Sequence, residues 1–161
     1  MSDPHSPGTP HGPALRPVSP RERAIALFLI AGGGWGVLSS LWQSAGGRGL
    51  PLSLDTIAPF IFLVAAGVQS WRRRASGHVL ALIALGLQAV RFRIGGVEWV
   101  LYGVASLELG VSGGGLSSGA HLGSSFDLAA SPGPSYLAVN TVALLGLILL
   151  VTGSPRPPRG G

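Results

Sequence analysis

Ser70-Trp71-Arg72-Arg73-Arg74-Ala75-Ser76-Gly77 is the stretch that decides how this chain is organised, because it divides two long apolar runs, 56–71 and 77–90. Three adjacent guanidinium groups are too costly to place in hydrocarbon. Short arginine-rich loops remain on the cytoplasmic side of a membrane. We therefore predict that the topology of the chain is determined by three residues, Arg72, Arg73 and Arg74.

The composition indicates a membrane protein. Of the 161 residues, 47% are hydrophobic and 11% are charged, and the mean hydropathy is +0.48. Soluble domains carry about 25% charged residues. The absence of cysteine excludes disulfides and thiolate metal sites. The net charge of +5 comes from arginines that flank apolar runs instead of forming a basic stripe, so we expect no nucleic-acid partner.

Four apolar segments are candidate membrane helices. At about 1.5 Å per residue, about 20 residues cross a ~30 Å hydrocarbon core. We therefore predict an all-α integral membrane protein, a four-transmembrane-helix bundle with spans at about 24–44, 52–71, 76–92 and 134–152. A cleaved signal peptide is the alternative interpretation of the first segment.

Two polar tails flank this predicted membrane domain of residues 21–152. Residues 1–20 contain six prolines and few apolar side chains, which predicts a disordered cytoplasmic tail. Residues 153–161 form the second cytoplasmic tail. With both termini inside, eight of the 11 arginines lie in cytoplasmic segments, and this asymmetry sets the orientation. The absence of lysine and the 26 glycines are typical of a G+C-rich bacterial genome, so we predict a multi-pass protein of a bacterial inner membrane.

The predicted outer loop, residues 93–133, includes a β pattern at its start. Arg91-Phe92-Arg93-Ile94 alternates polar and apolar side chains, Gly95-Gly96 follows, and Val97–Val104 is rich in β-branched and aromatic residues. This pattern predicts a small extracytoplasmic β-hairpin between helices 3 and 4.

The remainder of the outer loop is open to two interpretations. Residues 110–125 are rich in glycine and serine and predict an irregular loop. The alternative to the hairpin is a fifth or re-entrant span over residues 94–111, which would place Glu98 and Glu108 in the membrane.

Small and polar side chains inside the predicted spans suggest how the helices pack. Gly32, Gly36 and Ser40 recur every four residues and share one helix face, which allows close packing within the monomer or self-association. Gln88 and Asn140 lie at similar depths in spans 3 and 4. Because an unpaired carboxamide in hydrocarbon is costly, we predict a hydrogen bond between them.

The predicted spans carry no ionisable side chain near their middles, and proton relays, ion-coupled carriers and intramembrane proteases depend on such groups. We therefore expect a non-enzymatic integral membrane protein that acts through helix packing and partner contact. We assign no catalytic, cofactor-binding or metal residue and no cofactor. The expected partners are the lipid bilayer and either a second copy of the chain or another membrane protein.

Two other functions are retained as alternatives. A small passive or facilitated transporter for a neutral or lipid-like molecule would need a continuous polar path through the bundle. A membrane enzyme would have to use residues of the outer loop, where Glu98 and His121 could serve as acid and base. The other ionisable candidates of that loop are Glu108 and Asp127.

Overall fold

The computed structural model describes residues 19–45, 54–72 and 75–153. Within these residues the chain forms four helices, α1 (Pro20–Ala45), α2 (Leu54–Trp71), α3 (Ala75–Ala89) and α4 (Thr141–Gly153). It also forms six strands, β1 (Val90–Ile94), β2 (Val97–Tyr102), β3 (Ala105–Ser112), β4 (Gly115–Leu122), β5 (Ser125–Ala130) and β6 (Tyr136–Asn140). The strands make one antiparallel sheet, so the prediction of an all-α four-helix bundle is wrong.

The predicted third and fourth spans each combine a helix with a strand. Helix α3 ends at Ala89 and the chain continues directly into β1, while β6 continues at Asn140 directly into α4. Apolar runs are compatible with either a buried helix or a strand, so composition did not reveal the switch. Among the described helices, α1 and α2 alone are long and apolar enough to cross a membrane. Four transmembrane helices are therefore not supported.

Two helix starts are fixed by capping side chains. The Glu22 backbone N–H donates to the Ser19 hydroxyl (3.2 Å), and the Ser19 N–H donates to the Glu22 carboxylate (2.9 Å). This capping box, with Pro20 in the first turn, starts α1 at residue 20. Asn140 caps α4, because its Oδ1 accepts the N–H groups of Val142 and Ala143.

Glycines allow α1 and α2 to pack closely as an antiparallel pair. A Cβ on Gly33 would collide with the backbone of Phe60 and Val64, and one on Gly67 would meet the carbonyl of Ala26. Large apolar side chains fill the rest of the helical core, and the most deeply buried are Leu29, Leu63 and Leu85.

The hairpin predicted at Gly95-Gly96 is present. Strands β1 and β2 pair with Phe92 opposite Trp99 and Ile94 opposite Val97. The two glycines have φ values of 61° and 81°. Positive φ at both central residues is the conformation that a tight two-residue hairpin needs, and glycine adopts it without a steric penalty.

A second, longer hairpin makes up most of the sheet. β2 pairs with β5 and β3 with β4, both in one continuous register that runs from Val97 opposite Ala130 to Ser112 opposite Gly115. The prediction of a loop at residues 110–125 is therefore wrong. The two arms of this hairpin are β2 followed by β3, and β4 followed by β5. Both arms bend at the same level, between the two strands of each arm, and there the Gly123 N–H donates to the Val104 carbonyl (2.8 Å).

The folded hairpin wraps around the central pair of strands, and the resulting strand order is β4-β3-β6-β1-β2-β5. We call the inner face of this curved sheet concave and the outer face convex. Along β3, Ser106 and Glu108 on the concave face are buried, whereas Leu107, Leu109 and Val111 on the convex face are exposed. The sheet therefore has polar side chains inside and apolar side chains outside.

Candidate functional site

The concave face of the sheet gathers charged and aromatic side chains from five strands. Strand pairing places them together, since Arg93 lies opposite both Glu98 and Tyr136. We define the concave cluster as Arg91, Arg93, Glu98, Glu108, His121 and Tyr136. Glu98, Glu108 and His121 were predicted as outer-loop candidates, and the structure brings all three to this face.

Glu98 is the most completely paired member of the concave cluster. Its side chain is 7% exposed and accepts hydrogen bonds from the Tyr136 hydroxyl (2.5 Å) and from Arg93, with which it forms an ion pair. The hydrogen bond from Tyr136, with further ones from Arg93 and Ser131, lowers the pKa of Glu98 from 4.5 to about 2, although burial opposes this shift. The carboxylate is therefore held in its ionised form.

Glu108 and Arg91 form the second ion pair of the cluster. Arg91 Nη1 donates to Glu108 Oε2 (2.9 Å), and Arg91 Nε donates to the Tyr136 hydroxyl (2.9 Å). The guanidinium groups of Arg91 and Arg93 each lie 5.3 Å from the centre of the Tyr136 ring. Tyr136 thus contacts both arginines and Glu98, and the two glutamates balance the charges of the two arginines inside the sheet.

His121 lies at the edge of the cluster. Its Nε2 is 3.8 Å from Glu108 Oε2, and its ring stacks on Tyr102 with centroids 5.7 Å apart. Tyr102 is on β2 and His121 is on β4, so this stacking shows that the hairpin folds towards the concave face. The partners of Glu98 include Tyr136, Arg91 and Arg93, whereas His121 lies near Glu108.

Gln88 joins the helices to the sheet. Its Oε1 accepts the Gly103 N–H (3.0 Å), and its Nε2 donates to the Ala84 carbonyl (3.2 Å). Asn140 instead caps α4, and its buried Nδ2 has no hydrogen-bond partner within the described residues. The predicted hydrogen bond between Gln88 and Asn140 is therefore not formed.

The predicted packing face of α1 contacts two different elements. A Cβ on Gly32 would lie 2.9 Å from Gly103 Cα. Gly103 lies between β2 and β3, where the paired arms bend, and we call this bend the fold of the sheet. Gly32 therefore packs against the fold of the sheet. Gly36 packs against the Phe60 ring of α2, and its carbonyl accepts the hydroxyl of Ser40 (2.8 Å).

Of the three arginines predicted to determine topology, Arg72 lies just after α2 and is exposed. Arg73 and Arg74 lie outside the described residues, as do the tail residues 1–18 and 154–161 and the link 46–53.

The outward faces of the helices expose many large apolar side chains. All four helices contribute, and the exposed fraction reaches 83% at Leu54 on α2 and 58% at Val151 on α4. We define the helical apolar surface as the following exposed side chains: Leu27, Trp35, Leu38, Leu41, Trp42, Leu54, Ile61, Trp71, Val79, Ile83, Leu87, Leu144, Leu145, Ile148 and Val151.

Arg91, Arg93 and Tyr136 were not predicted as site residues. The two arginines could have been found from the sequence, because Arg91 and Arg93 alternate with apolar residues in the run that predicts the hairpin. Residues two apart on a strand share a face. In the described part of the chain, no group of three or more His, Asp or Glu side chains could hold a metal ion. Comparison of the chain with protein-family models, with curated proteins and with solved structures gave no match.

Proposed function

We propose that the chain is a non-enzymatic integral membrane protein, whose helices contact lipid and which acts through contact with a partner in the membrane. The observation that carries this proposal is the helical apolar surface. A surface helix of a soluble protein turns a polar face to water, whereas α1, α2, α3 and α4 turn leucine, isoleucine, valine and tryptophan outward.

The lengths of the first two helices support immersion in a bilayer. α1 has 26 residues and α2 has 18, which correspond to about 39 Å and about 27 Å. The hydrocarbon core is ~30 Å thick, and interior segments of both helices are free of charge.

The positions of the arginines support a cytoplasmic N-terminus. Arg21 and Arg23 lie in the first turn of α1, and Arg72 follows the last residue of α2. Because α1 and α2 are antiparallel, these three arginines lie at the same end of the pair. Positive charge at one end of a membrane helix pair favours placing that end in the cytoplasm.

The concave cluster supports a structural role over a catalytic one. Its two arginines and two glutamates are bound to one another, and Tyr136 donates to Glu98. A general acid or base must be able to reach a substrate, and a carboxylate with a pKa of about 2 is a weak base at neutral pH. We therefore assign the cluster to holding the sheet together. The transporter alternative stays a prediction.

A charged substitution on the helical apolar surface tests the proposal. In lipid, Ile61→Asp on the outward face of α2 costs about 3 kcal/mol because it places a charge in hydrocarbon; in water the same change at an exposed site would be tolerated. We expect a large loss of protein from the membrane fraction that resists alkaline carbonate extraction. Gln43→Asp, at the exposed end of α1, is the matched control and should remain in that fraction.

Two results of this fractionation would contradict the proposal. If the unmodified chain stays in the soluble fraction without detergent, or if Ile61→Asp leaves the carbonate-resistant fraction unchanged, the helical apolar surface does not contact lipid.

A further inference from the structure

The convex face of β3, β6 and β1 is a second apolar surface that packing among the described residues leaves exposed. Its central strands β3, β6 and β1 expose the side chains Val90, Ile94, Leu107, Leu109, Val111 and Leu137. Exposed fractions such as 57% at Leu109 equal those on the helices. An apolar exterior around a polar interior is also the pattern of transmembrane β-barrels.

The sheet lies beside the outer half of α1 and not beyond its end. Gly32 is 12 residues from the start of α1, which places the fold of the sheet about 18 Å along this helix. Seven residues further on, Ser39 Oγ lies 3.1 Å from Ser124 Oγ, so α1 continues along the sheet. Trp35 and Leu38 on this part of α1 are exposed. If a ~30 Å hydrocarbon core surrounds α1, it must also surround part of the sheet.

The lengths of α3 and α4 agree with placing part of the sheet inside the hydrocarbon core. α3 has 15 residues and α4 has 13, about 22 Å and about 20 Å, and neither crosses the core alone. Strands β1 and β6 continue from them and add about 16 Å each at ~3.3 Å per residue. Each helix with its strand is therefore long enough to cross.

The backbone of the central strands is compatible with lipid contact. β3, β6 and β1 each have a hydrogen-bonded neighbour on both sides, so none of them is an edge of the sheet. Unpaired backbone groups are what exclude open sheets from hydrocarbon. The charged side chains of the same strands point to the concave face, where they are paired.

We propose that the convex face of β3, β6 and β1 contacts the hydrocarbon of the bilayer, so that α3 with β1 and β6 with α4 each cross the membrane as a helix joined to a strand. This inference rests on the proposed function, since it takes the depth of the sheet from the immersion of α1. Residues near the helices lie deepest, and the Gly95-Gly96 turn lies at the outer surface, beyond the hydrocarbon.

Single-cysteine variants test this placement, because the chain has no cysteine of its own. Leu109→Cys is level with Val139 next to the helices, and Leu137→Cys provides a second position on a neighbouring strand. Ile94→Cys beside the turn is the shallow comparison, and Leu145→Cys on α4 is the helix control. Each variant in proteoliposomes is treated with a membrane-impermeant maleimide, and its own labelling after SDS denaturation is the maximum. A nitroxide at the same cysteines reports collision with oxygen, which concentrates in hydrocarbon, and with a water-soluble nickel chelate.

We expect Leu109→Cys, Leu137→Cys and Leu145→Cys to react about tenfold more slowly than their denatured forms, and their nitroxides to collide with oxygen more than with nickel. Ile94→Cys should react faster than Leu109→Cys. If Leu145→Cys is protected but the two sheet positions react freely, the inference is overturned and the proposed function stands. If Leu145→Cys reacts freely, the proposed function fails as well. Protection of the sheet positions from the maleimide and from oxygen alike would mean that protein, such as a second copy of the chain, covers this face, and it would also overturn the inference.

Discussion

The helices and the sheet of this chain have similar outer surfaces but opposite interiors. Both turn leucine, isoleucine and valine outward. Between the helices lie glycines and apolar side chains such as Leu63, whereas inside the sheet lie paired arginines and glutamates. A helix satisfies its own backbone hydrogen bonds, so two helices need only close packing to associate. The curved sheet instead encloses polar side chains, and these have to satisfy one another.

The largest expected effect comes from breaking the charge balance inside the sheet. Glu98→Gln leaves Arg93 without its anionic partner, and removing one member of a buried ion pair costs about 3–5 kcal/mol. We expect a loss of this order in the free energy of unfolding, measured by denaturant titration in detergent micelles. Asp127→Asn removes an exposed carboxylate on β5 and is the matched control, with an expected change near zero. Equal effects of both substitutions would show that the pairing of Glu98 contributes nothing.

Overpacking the helix interior should have a smaller effect. Gly33→Leu pushes a side chain into the backbone of Phe60 and Val64, which cannot yield as a flexible side chain can, and overpacking of this kind costs about 1–3 kcal/mol. At the neighbouring Gly34 a Cβ would meet nothing within 4 Å, so Gly34→Leu should leave stability close to that of the unmodified chain. SDS-induced unfolding of the two variants compares them directly. Similar losses at both positions would contradict the packing of α1 on α2.

Acid should weaken the sheet before it weakens the helix pair. The folded pKa of Glu98 is about 2 and its ordinary value is 4.5. A carboxyl whose pKa is lowered by folding contributes its full stabilisation above the ordinary value and loses it as the pH falls towards the folded value. We expect the free energy of unfolding to fall between pH 4.5 and about pH 2, and this part of the fall to be absent in Glu98→Gln. If Glu98→Gln shows the same pH dependence as the unmodified chain, protonation of Glu98 is not the cause of the loss of stability in acid.

The sequence predicts local features of this fold better than its long-range pairing. The Gly95-Gly96 turn could be predicted, because the requirement for positive φ is local and the flanking alternation is short. The ends of α3 and β6 could not, because residues 85–92 and 137–145 are mostly apolar and suit a helix or a strand equally. Residues 115–122 have weak strand propensity, and they form a strand because β3 pairs with them.

For the candidate site, too, the individual residues could be predicted from the sequence but their long-range partners could not. Glu98, Glu108, His121 and Asp127 were recognisable as ionisable residues of the outer loop, and Gly32 and Gly36 as close-contact positions. Several of the partners lie far along the chain, as in the hydrogen bonds Arg91–Glu108, 17 residues apart, and Tyr136–Glu98, 38 residues apart. Such pairings follow from strand order, which the amino-acid pattern of one segment does not specify.

The most direct test of lipid contact uses Trp35, which is 55% exposed on α1 beside the fold of the sheet. In a chain whose other three tryptophans are replaced by phenylalanine, its fluorescence is measured in vesicles of phospholipid brominated along the acyl chains and in unbrominated vesicles. Immersion of the helices in hydrocarbon predicts strong quenching by the brominated lipid, because bromine quenches on contact. Equal fluorescence in both kinds of vesicle, with the chain recovered in the aqueous phase, would contradict the account.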